Sequence, residues 1–282
     1  MFKTPWQILK NNMIFIQPIL LFILLFMLAL TYFVAGGVLT LPKIFMMISV
    51  FFVAVSFTAG WFYINKLAID DYNPEDEPEE ISIKAIKNFR QFFTGVGEGF
   101  GRFLFAYIIY LALYLVSIFA LVKLGLNIFG EPQILIDFPK IAKTLNTQSD
   151  LINYLNNISM QDKMIFANWV LSISVIISII NFFGLLYFTI LTYTKKNVFA
   201  SIFHTFVFLF KNIVGCIAII AVMFALYMVL NVLSVILGSN SFSFVFLIIL
   251  LVLYLNYYVL LVFCFYNERT KDNCNNRTEF IG

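Results

Sequence analysis

The sequence predicts an all-α, polytopic integral membrane protein with six transmembrane helices in three hairpins, each preceded by an amphipathic cytoplasmic helix at the membrane interface. Three observations favour this fold class. Of the 282 residues, 62% are hydrophobic and only 12% are charged, where a soluble domain carries about 25% charged residues. Long segments without any charge recur along the chain, and the segments between them hold the charges. These features exclude a water-soluble globular domain.

The charge-free runs locate the spans, because Asp, Lys or Arg at the centre of a membrane helix costs roughly 2.5–3.5 kcal/mol. Four runs each fit one helix of about 20 residues. The fifth, 212–267, is divided by the turn-forming cluster at 238–241. Within a single membrane domain, 1–282, we therefore predict spans near 13–34, 44–64, 103–122, 165–191, 213–237 and 242–266.

The basic residues predict the topology. Thirteen of the 18 Lys and Arg residues fall in the N-terminus, the second loop, the fourth loop and the tail, and five fall on the other side. Positive charge accumulates in cytoplasmic loops, so both termini are expected in the cytoplasm, in a cell membrane of the bacterial inner-membrane kind. The corresponding segments are an acidic cytoplasmic linker (66–81), an outer loop (126–163) with a helical piece near 149–158, and a cytoplasmic tail (267–282).

A short amphipathic stretch precedes each odd-numbered span. Each stretch has an apolar side and a polar side, and Phe208 interrupts the polar side of the third stretch. Such stretches are too short to span and suit helices that lie in the headgroup region. The residues predicted to meet the membrane interface or lipid headgroups are Trp6, Lys10, Lys84, Lys87, Arg90 and Lys211. The apolar sides comprise Phe2, Trp6, Leu9 and Met13, then Ala85, Ile86, Phe89, Phe92 and Phe93, then Phe199, Ile202, Phe203, Phe206, Leu209 and Phe210.

Lys10-Asn11 and Lys211-Asn212 stand at matching places at the ends of the first and third stretches. This series of short helices and Phe-rich hairpins resembles a group of bacterial six-helix membrane proteins. The group includes the membrane domain joined to glycerophosphodiester phosphodiesterases, along with uncharacterised relatives. The resemblance covers nearly the whole chain and implies the six-helix fold. It transfers neither phosphodiesterase activity nor any functional residue, because no soluble catalytic domain accompanies the spans.

Polar side chains inside the spans include Asn181, Asn231 and Asn256, and none of the intramembrane polar residues is ionisable. Proton pumps and voltage sensors place ionisable groups at depth, so this chain has little means of moving protons itself. Asn181 and Asn256 lie near the middle of the fourth and sixth spans. They could bond to one another and fix the bundle, or the three amides could line a polar path.

Three further motifs have structural or chemical interpretations. Asp70 to Glu80 holds seven acidic residues in eleven and is expected to be a solvated linker that binds a basic partner or folds over Lys84, Lys87 and Arg90. The overlapping GxxxG pairs between Gly95 and Gly101 predict close helix packing or a flexible joint. Ser159 and Asp162 predict an N-terminal cap for the fourth span.

These features predict a non-enzymatic membrane protein that binds or helps to move lipid or another amphiphile, or serves in a membrane assembly. Membrane lipids and a membrane or cytoplasmic protein are the expected partners, and no cofactor is expected. Nucleic acid is not, because the net charge is only +3. One alternative is a transporter subunit energised by a partner. A lesser alternative is a lipid or prenyl enzyme with Asp70, Asp71 and Asp76 as metal ligands. A His/Cys metal cluster is not expected, because the chain has one His and three Cys.

Overall fold

The computed structural model describes residues 2–34, 40–132, 158–194, 197–237 and 241–278, and every regular element within these ranges is helical. A 3-10 turn, Met13–Phe15, joins the first two helices. Most of the outer loop, including the predicted helical piece near 149–158, lies outside the described residues. The α-helices described are α1 (Lys3–Asn11), α2 (Ile16–Val34), α3 (Leu41–Asp70), α4 (Pro78–Arg90), α5 (Phe92–Phe129), α6 (Met160–Tyr193), α7 (Val198–Lys211), α8 (Ile213–Leu237) and α9 (Ser241–Thr278).

Six of these helices, α2, α3, α5, α6, α8 and α9, are long and apolar enough to cross a membrane. This agrees with the six predicted spans. Several helices continue past the predicted limits. At 38 residues, α5 is about 57 Å long, against a hydrocarbon thickness of about 30 Å. The difference arises because a charged residue ends an apolar run without ending the helix that carries it.

Single residues with an amide side chain separate the three short helices from the elements that follow: Asn12, Gln91 and Asn212. Asn12 and Asn212 share nearly the same backbone conformation, with φ at −122° and ψ at 39° and 29°. In both, Nδ2 donates at 3.0 Å to the carbonyl four residues earlier. The equivalent of Asn212 is therefore Asn12, and the predicted match with Asn11 is wrong by one residue.

The described chain forms two compact units, one from residues 1–108 and 183–282 and the other from 109–182. Aromatic rings dominate the interior of the first unit. The Phe62 ring of α3 lies 6.0 Å from Phe103 of α5, 6.3 Å from Phe188 of α6 and 5.2 Å from Phe263 of α9. The hydroxyl groups of Thr58 and Tyr107 share a hydrogen bond of 2.7 Å. Four long helices thus meet around Phe62.

Small residues allow α3 and α5 to approach closely in the same unit. A Cβ atom added at Gly95 would lie 2.4 Å from Cβ of Tyr63, and one added at Gly60 would lie 2.8 Å from the carbonyl oxygen of Phe92. By contrast, Gly97 and Gly101 have nothing within 4 Å of such an atom. The first GxxxG pair therefore contributes to packing, as predicted, and the second faces open space.

Within the second unit, Trp169 joins the start of α6 to the end of α5. Nε1 of Trp169 in α6 donates to the carbonyl of Gly130 at 3.0 Å. The indole ring also occupies the space where a side chain at Gly125 of α5 would stand, because a Cβ atom there would lie 2.5 Å from it. At the start of α6, Ser159 Oγ accepts from the backbone N–H of Asp162 at 3.1 Å. The predicted Ser159 cap is confirmed.

Candidate functional site

The first short helix, α1, is anchored on one side and open on the other. Ile8 and Leu9 are buried, and the hydroxyl of Tyr72 donates to Oε1 of Gln7 at 2.8 Å. Trp6 is 56% exposed and touches Tyr257 of α9 edge-on at 6.2 Å, and Lys10 is exposed. An indole and an ammonium group thus stand on the outer surface of α1, the residue types found at membrane interfaces.

The second short helix, α4, contributes basic residues in two different settings. Lys84 forms an ion pair with Asp76 at 2.6 Å, and this hydrogen bond raises the pKa of Lys84. Lys87 and Arg90 are exposed on the same helix, whereas Ala85 and Asn88 are buried against the protein. Of the three basic residues that the acidic linker was predicted to fold over, Lys84 is paired, through Asp76, and Lys87 and Arg90 are exposed.

The third short helix, α7, buries the side predicted to be polar. Ser201 and Thr205 are 0% exposed, and Phe208 packs between Phe265 and Tyr266 of α9 at 5.6 and 5.1 Å. Phe208, which interrupts the polar side in the sequence, is therefore a buried core residue. Within the predicted apolar stripe, Phe199, Phe203, Phe206 and Phe210 are exposed, and Ile202 and Leu209 are half-buried. Lys211, at the end of the helix, is also exposed.

The three intramembrane asparagines occupy different environments. Asn181 accepts a hydrogen bond of 3.3 Å from the hydroxyl of Tyr110 within the second unit. In the first unit, Asn231 is exposed and its Nδ2 donates to the carbonyl of Tyr227 in its own helix. Asn256 is 1% exposed, and neither amide atom has a hydrogen-bond partner among the described residues. Of these three asparagines, Asn256 alone combines burial with unused hydrogen-bonding capacity.

The aspartates considered as metal ligands do not form a ligand set. Asp76 is engaged with Lys84, Asp70 ends α3, and Asp71 follows it as the C-terminal cap. Across the ranges that the structure covers, no group of three or more His, Cys, Asp or Glu side chains could hold a metal ion. The geometry gives the prenyl-enzyme alternative no support.

Two basic side chains have structural roles that the sequence did not indicate. Lys43 Nζ donates to the carbonyl of Phe33 in the last turn of α2 at 2.8 Å. Arg102 donates to the carbonyl of Thr194, which directly follows α6, at 2.7 Å. Cations stabilise the negative ends of helices in this way. The sequence shows that Lys43 and Arg102 stand beside charge-free runs. It does not show their hydrogen-bond partners, because the partner of Arg102 lies 92 residues further along the chain.

No family model matches this chain, and comparison with curated proteins and with solved structures found no match. The resemblance to six-helix bacterial membrane proteins stays a prediction.

Proposed function

We propose that this protein is a non-enzymatic multi-pass membrane protein that binds lipid, or another amphiphile with an anionic headgroup, at its cytoplasmic surface. In this proposal α2–α3, α5–α6 and α8–α9 are transmembrane hairpins, and α1, α4 and α7 are interfacial helices. The lipid contacts come from Trp6 and Lys10 of α1, from Lys87 and Arg90 of α4, and from Lys211 of α7. Lys84 contributes through its ion pair to the position of the linker.

The observation that carries the proposal is the outer surface of α1. Trp6 and Lys10 are exposed there although the helix has a well-packed inner side at Ile8 and Leu9. A soluble protein gains nothing from presenting an indole to water, whereas an indole beside an ammonium group matches the boundary between acyl chains and phosphates. The exposed Lys87 and Arg90 extend the same chemistry to α4.

The packing of α1 supports a shared cytoplasmic side for the N-terminus, the second loop and the tail. α1 packs against α4 and α9, and the hydroxyl of Tyr257 donates to the carbonyl of Phe2 at 3.3 Å. The N-terminal helix, the helix of the second loop and the helix that leads into the tail therefore adjoin one another, and each carries Lys or Arg. Their combined charge favours anionic lipid by about 1 kcal/mol for each basic residue near the surface.

Lipid analysis of the purified protein tests the proposal. The protein is extracted in a mild detergent, and its retained lipids are compared by mass spectrometry with those of an unrelated six-span protein prepared in parallel. We expect enrichment of anionic lipid over the control. Equal lipid content and composition in the two preparations would contradict lipid binding as the function.

A second candidate function is a transporter subunit energised by a partner, and Asn256 is the observation that favours it. An amide buried inside a span without hydrogen bonds costs about 1–3 kcal/mol. A polar substrate that formed hydrogen bonds with this amide would remove that cost. A partner ATPase would have to provide the energy, since the predicted spans contain no Asp, Glu, His, Lys or Arg. Affinity purification from the native membrane should then retain an ATPase, and its absence would remove this candidate.

A further inference from the structure

The two sides of α7 are reversed relative to a helix on the surface of a soluble protein. Ser201, Thr205 and Phe208 recur at intervals of four and three and are all buried. The opposite stripe consists of Phe199, Phe203, Phe206 and Phe210, at intervals of four, three and four. Their side chains are 72%, 72%, 43% and 75% exposed, respectively. Four aromatic rings on one side of a helix in contact with water would be strongly unfavourable.

The buried hydroxyl groups need nothing from water. Ser201 Oγ donates to the carbonyl of Asn197 at 3.0 Å, and Thr205 Oγ1 donates to the carbonyl of Ser201 at 2.8 Å. At the N-terminus, Oδ1 of Asn197 accepts from the backbone N–H of Ala200 at 2.7 Å. Because the hydroxyl groups of Ser201 and Thr205 are satisfied within the helix, they allow α7 to lie in surroundings that offer no hydrogen bonds.

The distribution of charge distinguishes α7 from the other two short helices. Between Val198 and Phe210 there is no Asp, Glu, Lys or Arg, and the one ionisable imidazole, His204, is half-buried, whereas α1 and α4 carry Lys or Arg along their length. At 14 residues the helix is about 21 Å long, too short to cross. Its exposed stripe continues into the exposed apolar start of α8, at Ile213, Val214 and Ile217. The exposed apolar side of α7 is therefore continuous with that of α8, a helix long and apolar enough to cross a membrane.

We infer that α7 lies within the hydrocarbon of the cytoplasmic leaflet, where Phe199, Phe203, Phe206 and Phe210 contact acyl chains. α1 and α4 instead meet the headgroups. This inference rests on the proposed membrane function and adds a difference in depth among the short helices. Lys211 marks the point where the chain returns to the level of the phosphates.

Site-specific photocrosslinking in lipid nanodiscs tests this depth. Benzoylphenylalanine replaces Phe203 or Phe210, which it resembles in shape, and mass spectrometry locates the attachment point on the lipid. The matched control for a headgroup position is Ile83 of α4, which is 64% exposed. The control for a buried position is Phe208, which should crosslink to α9.

We expect positions 203 and 210 to attach to carbons in the middle of acyl chains, and position 83 to attach near the glycerol or headgroup. Attachment of positions 203 and 210 only at headgroups would overturn the inference about depth. It would remain consistent with the proposal that the short helices lie at the membrane interface. Failure at 203, 210 and 83 together, with normal crosslinking at 208, would overturn the proposed membrane contacts of the short helices as well.

Discussion

At the scale of single residues, the tightest constraint is the contact between α3 and α5. Any side chain at Gly95 meets Cβ of Tyr63, an atom that cannot move without the backbone. Gly97, two residues along the same helix, meets nothing. The sequence predicted packing through two overlapping GxxxG pairs but could not tell which pair is used, because both have the same spacing.

Substitution of these two glycines therefore has opposite consequences. We expect Gly95→Ala to lower the free energy of unfolding by about 1–3 kcal/mol through overpacking. Gly97→Ala should be neutral or stabilising by up to about 1 kcal/mol, because alanine favours the helix over glycine. Thermal unfolding in detergent measures both. Equal effects of the two variants would contradict the packing described for Gly95.

The ion pair between Lys84 and Asp76 gives a second residue-scale prediction. Lys84→Met should increase proteolytic cleavage within residues 71–77 at neutral pH, whereas Lys87→Met, on the same exposed helix, should leave the cleavage rate unchanged. The hydrogen bond raises the pKa of Lys84 above its ordinary value of 10.5, so the protection is present at neutral pH and, on the alkaline side, is lost as pH rises through that raised pKa. Protection that does not depend on Lys84 would show that the linker is held in another way.

At the scale of helices, the junctions at Asn12 and Asn212 show what local sequence cannot resolve. Two asparagines follow Lys10, and a pattern of residue types does not distinguish them. Only the side chain of Asn12 is placed to bond the carbonyl of Ile8. The burial of α7 escaped prediction for a related reason: polarity defines two sides of a helix, but not which side meets the protein when the surroundings are apolar.

Asparagine substitutions test the first junction. We expect Asn12→Ala to lower the free energy of unfolding by about 0.5–1.5 kcal/mol, because a buried hydrogen bond is lost. Asn11→Ala should change it by less than about 0.5 kcal/mol, as is usual away from such features. Thermal unfolding of both variants gives the comparison. A larger effect at Asn11 would contradict the equivalence of Asn12 and Asn212 and support the predicted match of Asn11 with Asn212.

At the scale of the whole molecule, the spans were predictable because charge is so costly in a bilayer that its absence marks each one. The structure adds that no more than 33% of any span window is buried within the described chain. The remaining apolar surface requires lipid or partner helices. The asparagines were predictable as intramembrane residues, but their surroundings depend on contacts between distant segments, and only Asn256 proved to be buried without hydrogen bonds.

The topology gives a prediction at this scale. Single cysteines placed in the N-terminal segment and in the tail, in a background without native cysteines, should react with a membrane-impermeant thiol reagent only after the cytoplasmic face is opened. A cysteine at Glu131, beyond α5, should react with intact cells. Reaction of either terminus in intact cells would contradict a shared cytoplasmic location.

The central claim is that basic residues of the short helices bind anionic lipid, and lipid retention by matched charge variants tests it most directly. The Lys10→Gln, Lys87→Gln double variant is compared with Lys123→Gln, Lys163→Gln, which removes the same charge from the predicted outer side. Native mass spectrometry from nanodiscs of equal anionic content counts the lipids retained. We predict fewer anionic lipids on the first variant and wild-type numbers on the second. Equal retention by the two variants would contradict the claim.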